Sequence, residues 1–413
     1  MKSICSWLVA ALLAMPGLLA AATPSPWQET QAQDARALSI ASVRAVEIQF
    51  DPAFDPAQAN ELSFDVFGTS VTALRSDYQR RSSGWTWTGN IDGVVGHSVV
   101  LSQTDGQLAG RLGTHASTYE IRPSHSGAAH LIELDPTAFP PCGGAVEPAI
   151  HPNAEFGAMP VTDGIVPAEP EGLIVNTIDV MIVYTPTLLA TLGGEAQVRA
   201  QAQAAVDASN SSFQNSQMSA RFHLVAVLPT TIDEGPAVTA LGTHLSNLRA
   251  NVQVAAWRNQ YGADLVSMLV QDGLGSCGIG YVMRTVGAGF ASSGFQVTAS
   301  GCAVGNLSYA HEHGHNMGME HDPPNGTTPA NASYPWSFGH IVDGSYRTVM
   351  AYSSACTMGC TRRQYFSNPN VFFLGVPTGV IDIEDNHRTG NATAPVIAAF
   401  RANTNLIFAK GFD

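Results

Sequence analysis

The chain is 413 residues long, 45% hydrophobic and only 13% charged, with 39 glycines and 24 prolines; it is long enough for two domains, and the composition is that of a loop-rich globular protein rather than a disordered one. Acidic residues outnumber basic ones 33 to 19, a formal charge of −14, which argues against nucleic acid as a partner because phosphate binding needs clustered Lys and Arg. There is no run of like charges, so the acidity reads as a solvated surface.

Residues 1–22 read as a signal peptide: Lys2 supplies the positive start, residues 7–19 are apolar, and Ala20-Ala21-Ala22 offers a small-x-small cleavage site. Pro16 and Gly17 interrupt the apolar run, which favours export over a membrane anchor. Residues 23–135 form the next unit. Runs such as 45–50, 84–89, 97–102 and 119–122 alternate with β-branched and aromatic residues, the pattern of an antiparallel β domain. Residues 136–173 are rich in Pro, Gly and Ala and read as an extended, accessible linker. Residues 174–413 make up the last unit. Residues 178–184 read as a strand, 194–217 as a helix, 220–228 as a strand, 238–259 as a helix and 264–270 as a strand, an α/β layer. A His-rich helix is expected at 307–319, then little regular structure until a helix at 392–402.

Of six cysteines, Cys5 leaves with the signal peptide and Cys142 stands alone in the linker. Cys277, Cys302, Cys356 and Cys360 make two pairs in an exported protein. Neighbour pairing, Cys277–Cys302 and Cys356–Cys360, is preferred, although four cysteines allow three connectivities.

The informative stretch is residues 311–322, HEHGHNMGMEHD. On a helix His311 and His315 are one turn apart and face the same way, so both imidazoles can hold one metal ion, with Glu312 beside them. His321 joins them only if the helix ends, and Gly318 permits a left-handed exit. Three neutral imidazoles leave one tetrahedral position open, the arrangement of a catalytic zinc site. Glu312 is then the general base. His313 lies on the opposite side and reads as structural or solvent-facing, and His340 and His387 lack ligand spacing.

This pattern resembles the metzincin signature H-E-x-x-H-x-x-G-x-x-H with a downstream Met-turn, here Met350 in Thr348-Val349-Met350-Ala351-Tyr352. Asp322 after the third His resembles the adamalysin or reprolysin branch, and Tyr352 resembles the astacins and serralysins. Residues 365–371 and 375–379 look like the bacterial reprolysin-like and peptidyl-Asp metalloendopeptidase group. The resemblance spans about residues 176–405. It implies an α/β metzincin catalytic domain: a twisted mixed sheet, an active-site helix and an irregular C-terminal subdomain. The activity implied is a zinc endopeptidase acting on proteins or peptides, with no nucleic-acid or membrane partner, as a monomer. Met350 would floor the ligands, Asp322 would anchor the return loop, and Tyr352 would be a fifth ligand or oxyanion partner, against an ordinary buried tyrosine.

Cys142 lies in Pro140-Pro141-Cys142-Gly143-Gly144. A thiolate there can fill the open zinc position, which resembles the cysteine switch of matrix metalloproteinases and adamalysins; a free linker thiol or a disulfide partner is the plain alternative. Arg347, Arg362 and Arg363 follow or flank the Met-turn, and any of them in the specificity pocket would favour an acidic side chain. Asp382, Glu384 and Asp385 offer oxygen ligands for calcium without EF-hand spacing, and a solvated acidic loop explains them equally well. A zinc-binding adhesin would not need Glu312, and a lipid hydrolase finds no G-x-S-x-G elbow here.

Overall fold

The structure, a computed structural model, describes residues 25–33, 41–91, 96–148, 175–235 and 238–401; the expected signal peptide, most of the expected linker and the last residues lie outside them. Nine antiparallel strands form the N-terminal region: β1 (Trp27–Gln33), β2 (Ser42–Phe50), β3 (Glu61–Val66), β4 (Thr69–Arg81), β5 (Gly84–Ile91), β6 (Val99–Thr104), β7 (Gln107–Gly113), β8 (Thr118–Pro123) and β9 (Ala129–Leu134). Their order is β1-β2-β9-β8-β7-β6-β5-β4-β3. The two-residue turns Phe67-Gly68 and Asp105-Gly106 have all four φ values between 51° and 79°, the left-handed pair that matches the twist of a tight hairpin. The sheet curls until its edges meet, with Trp27 stacked on Phe64 at 4.9 Å.

The C-terminal half is α/β, as the sequence implied. After β10 (Ala145–Val146) come β11 (Asn176–Tyr184), α1 (Pro186–Leu192), α2 (Glu195–Asn215), β12 (Ala220–Pro229), α3 (Leu241–Ala250), α4 (Val252–Gln260), β13 (Leu265–Val270), β14 (Gly278–Tyr281), β15 (Phe295–Ala299), a helical turn α5 (Ser300–Ala303), α6 (Ser308–Asn316) and α7 (Asn386–Ile397). The sheet order is β10-β14-β15-β13-β11-β12. Strands β11, β12, β13 and β15 are parallel, and β14 runs antiparallel to β15. Strand β11 from Ile178 onward and all of β13 are buried and mostly apolar, as strands covered on both faces must be. Five two-residue strands, among them Tyr346–Arg347 and Thr361–Arg362, are the only regular pieces described between α6 and α7 besides turns and a one-turn helix.

Three expectations need correction. The helix expected at 238–259 is two, because Asn251 breaks it and its side chain caps α4 by accepting from the amides of Gln253 and Val254. The C-terminal helix runs over Asn386–Ile397 rather than 392–402, started by Asp385, whose carboxylate accepts from the Arg388 amide. The linker is not free throughout: β10 pairs parallel with β14, and the Pro141 carbonyl accepts from the Cys277 amide at 2.8 Å. Both disulfides join neighbouring cysteines, Cys277–Cys302 and Cys356–Cys360, with Cα atoms 5.5 and 5.9 Å apart.

Candidate active site

Helix α6 packs across β14 and β15 with every residue from Ser308 to Asn316 buried. His311 and His315 stand one turn apart, ring centroids 4.9 Å from each other. The helix stops at Gly318, where φ is +83° and a Cβ would meet the Met283 carbonyl and the Ser333 hydroxyl at 3.0 Å; only glycine fits both restraints. The chain then doubles back, and His321 arrives 5.2 Å from the His311 ring and 4.7 Å from that of His315. The helix is therefore shorter than the expected 307–319, and the bend comes where the sequence requires it.

Each imidazole is aimed from behind. Nδ1 of His311 meets the Val349 carbonyl at 2.8 Å, that of His315 the Met319 carbonyl at 2.8 Å, and that of His321 the Asn325 carbonyl at 3.3 Å. Those carbonyls can only accept, so Nδ1 carries the proton and Nε2 a lone pair. The Nε2 atoms of His315 and His321 lie 3.0 Å apart, and the buried Nε2 of His311 has no partner. Facing lone pairs repel unless a cation lies between them. Burial holds His311 and His321 well below the ordinary imidazole value, with neighbouring charged groups adding to it, so the rings are neutral donors. Together with Sγ of Cys142 these ligand atoms fall within 4.8 Å of one another. Three nitrogens and one sulfur are a donor set that suits zinc.

Glu312 is fully buried beside the cluster. Its Oε2 accepts from the Cys142 thiol at 3.6 Å and its Oε1 has no partner. Burial pushes its pKa up to about 8, and burial with Glu312 alongside pushes the Cys142 thiol well up too. Room for Glu312 comes from β14: a Cβ on Gly278 would lie 2.6 Å from its Oε1, and one on Gly280 2.8 Å from its carbonyl. The G-x-G at 278–280 is the sequence signal for this close approach.

Met350 is buried beneath the helix, and a Cβ on Gly314 would lie 2.4 Å from its sulfur. Asp322 accepts from the Tyr352 amide at 2.8 Å and from the Asn325 side chain at 2.7 Å, tying the return loop to the turn after Met350. Tyr352 lays its ring 4.0 Å from that of His321 and donates its hydroxyl to the Cys142 carbonyl at 3.3 Å.

The segment around Cys142 lies along β14 as a strap. The Gly143 amide donates to the Gly278 carbonyl at 2.7 Å and the Val282 amide to the Val146 carbonyl at 2.9 Å. Arg284 bridges Glu147 of the strap to the buried Glu320. On the other side of Cys142 is a cavity of about 490 Å³ lined by Phe139, Pro140, Asn306, Tyr352, Arg347 and Arg362 among others. Both arginines are buried and donate to the Ala351 carbonyl; Arg362 also donates to that of Asn306. Their Nε atoms have no partner, and neither forms a salt bridge among those found in the described residues. Arg363 points elsewhere, donating to the carbonyls of Thr114 and His115.

Other candidates stay outside the site. His313 is buried rather than solvent-facing, bonded to Ser267 and Asn316. His340 pairs with Glu384, and His387 contacts Asn391. Asp382 pairs with Arg388 and Asp385 caps α7, so the three carboxylates considered for calcium have separate commitments and form no metal-ligand group among the described residues.

Comparison with known proteins agrees with this geometry. Residues 175–367 match a family model described as metallo-peptidase family M12. The chain is 29% identical over 390 residues to a peptidyl-Asp metalloendopeptidase of Stenotrophomonas maltophilia (strain R551-3), covering 88% of this chain and 87% of that one. A protein of the same name from Xanthomonas campestris pv. campestris is 28% identical over 387 residues, with the same coverage. Another, from Pseudomonas aeruginosa, is 31% identical over 253 residues, 55% of this chain and 40% of its own.

Proposed function

Residues 175–367 are a metallopeptidase domain of family M12, and from that premise we propose a secreted zinc endopeptidase of metzincin architecture, made as a latent proenzyme. In this reading residues 1–22 direct export, residues 23–135 are a propeptide domain, residues 136–173 connect it, and residues 174–413 are catalytic. The observation that carries the reading is the convergence of three imidazole Nε2 atoms and one thiol beside a buried carboxylate with an open oxygen.

His311, His315 and His321 would hold the ion, with Met350 as the floor beneath them. Zinc held there would supply Lewis acidity, polarising a carbonyl and lowering the pKa of water. Glu312 takes a proton from the attacking water on Oε2, the oxygen that the Cys142 thiol meets in the latent chain, and returns it to the leaving amine. Tyr352, whose hydroxyl meets the Cys142 carbonyl, would meet a substrate carbonyl there instead. Cys142 blocks the fourth ligand position until the strap leaves.

Arg347 and Arg362 line the adjoining cavity and would give it a positive wall. A carboxylate side chain seated there gains charge-assisted hydrogen bonds that an apolar one lacks. The name carried by the relatives, peptidyl-Asp metalloendopeptidase, fits an aspartate in that cavity. The test is hydrolysis of casein and of a peptide library by the mature protein, with and without a chelator, alongside Glu312→Ala. Chelator-resistant activity, or a Glu312→Ala protein that binds zinc and still cleaves, would refute the mechanism.

A further inference from the structure

Helix α2 is covered on two sides: by β12 and α6 of its own half, and by β6 and β7 of the N-terminal sheet. Its small residues, among them Ala200, Ala204, Ala208 and Ser211, are buried, which lets two layers approach one helix. Three side chains, each eight residues after the last, bond to the sheet. Arg199 pairs with Asp105 at 2.5 Å; Asp207 accepts from the hydroxyls of Thr86 and Ser102, both at 2.6 Å; Asn215 accepts from the His97 amide at 2.6 Å.

The same sheet reaches the segment that carries the arginine wall. Arg111 of β7, fully buried, donates to the Gly305 carbonyl at 3.1 Å, to Oε1 of Gln364 at 2.6 Å and to the Arg362 carbonyl at 3.3 Å. Arg363 answers in the other direction with the carbonyls of Thr114 and His115, each at 2.6 Å. Tyr346, Tyr365, Val371 and Phe373 share one apolar cluster with Trp87 and Leu101 of the sheet. A propeptide that acted only through Cys142 would need none of this. Pulling the two regions apart strands a buried guanidinium's acceptors and wets a shared core, and both changes oppose separation.

We propose that the face made by α2 and residues 346–373 is a standing docking surface whose partner is the N-terminal sheet as a separate chain, so that cutting the linker leaves both pieces in one particle. The proposal rests on the propeptide reading above, and its test separates the two. A recognition site for a sequence-specific protease is placed in the full chain between residues 149 and 174, the chain is cut, and the product is run on gel filtration with zinc present. One peak containing both fragments is expected. With Arg111→Met, the fragments should part at a lower denaturant concentration than in the unsubstituted chain. The proposal is overturned if the cut unsubstituted chain elutes as two peaks, or if Arg111→Met leaves the parting concentration unchanged. Where Arg111→Met does not accumulate, the elution of the unsubstituted chain decides alone. Peptide hydrolysis by the same peak from a Cys142→Ala chain reads the strap independently, and its absence counts against Cys142 as the latch without touching the docking result.

Discussion

Gly278 and Glu312 are in such close contact that a single methyl on the glycine would lie 2.6 Å from the carboxylate oxygen Oε1. Strand β14 therefore sets where the base stands. Gly278→Ala should fold and keep zinc but lose about 10²-fold in kcat/KM, the usual cost of displacing a reacting group by about an ångström. Unchanged kcat/KM for this variant would mean that the carboxylate is positioned by something else.

Cys142→Ala should give a full-length chain that cleaves peptides before any processing, since it removes the sulfur from the ligand cluster and spares the imidazoles. The matching measurement is thiol labelling of the unsubstituted proenzyme. Cys142 should react slowly until a chelator is added, because a zinc-bound, buried thiol is a poor nucleophile. Full latency in the alanine variant would sink the strap reading.

Arg362→Met keeps most of the volume of the cavity wall and removes the charge. The preference for Asp over Leu at the position after the cleaved bond should fall by about 10- to 100-fold, the equivalent of losing about 1.5–3 kcal/mol of charge-assisted hydrogen bonding. Cleavage before Leu should change little. Competition between paired peptides measures the ratio directly, and a ratio equal to that of the unsubstituted enzyme argues against the arginine wall.

Gly314→Ala would place a methyl 2.4 Å from the Met350 sulfur. Overpacking of this kind costs about 1–3 kcal/mol and should lower Tm by several degrees in a thermal melt. A companion Met350→Leu, which takes the sulfur away, should recover part of the loss if that contact is its cause.

The local parts of this molecule were legible in its sequence. The spacing of His311, His315 and His321 and the glycine at 318 act within a dozen residues, so helix geometry and one left-handed turn suffice to read them. The strands of both halves follow from alternation and from apolar runs. Long-range pairing was not legible. Nothing near Cys142 says that it will lie along β14, 170 residues away from the glutamate it touches. The start of α7 was missed because Asn386, His387, Thr389 and Gly390 are poor helix formers; Gly390 is there since a Cβ would strike Met218 at 2.1 Å. The acids at 382–385 stand together in the sequence, which hides that Asp382 pairs with Arg388 and Glu384 with His340.

The helix that carries His311 and Glu312 has no solvent-facing residue from Ser308 to Asn316. Such a segment cannot fray on its own, so its amide protons should exchange with deuterium only when the whole C-terminal half opens. Catalytic groups elsewhere often ride on pliable loops, whereas here the base and two of the ligands belong to the last part of the protein to come undone. Heat or denaturant should then abolish hydrolysis together with the global transition rather than ahead of it.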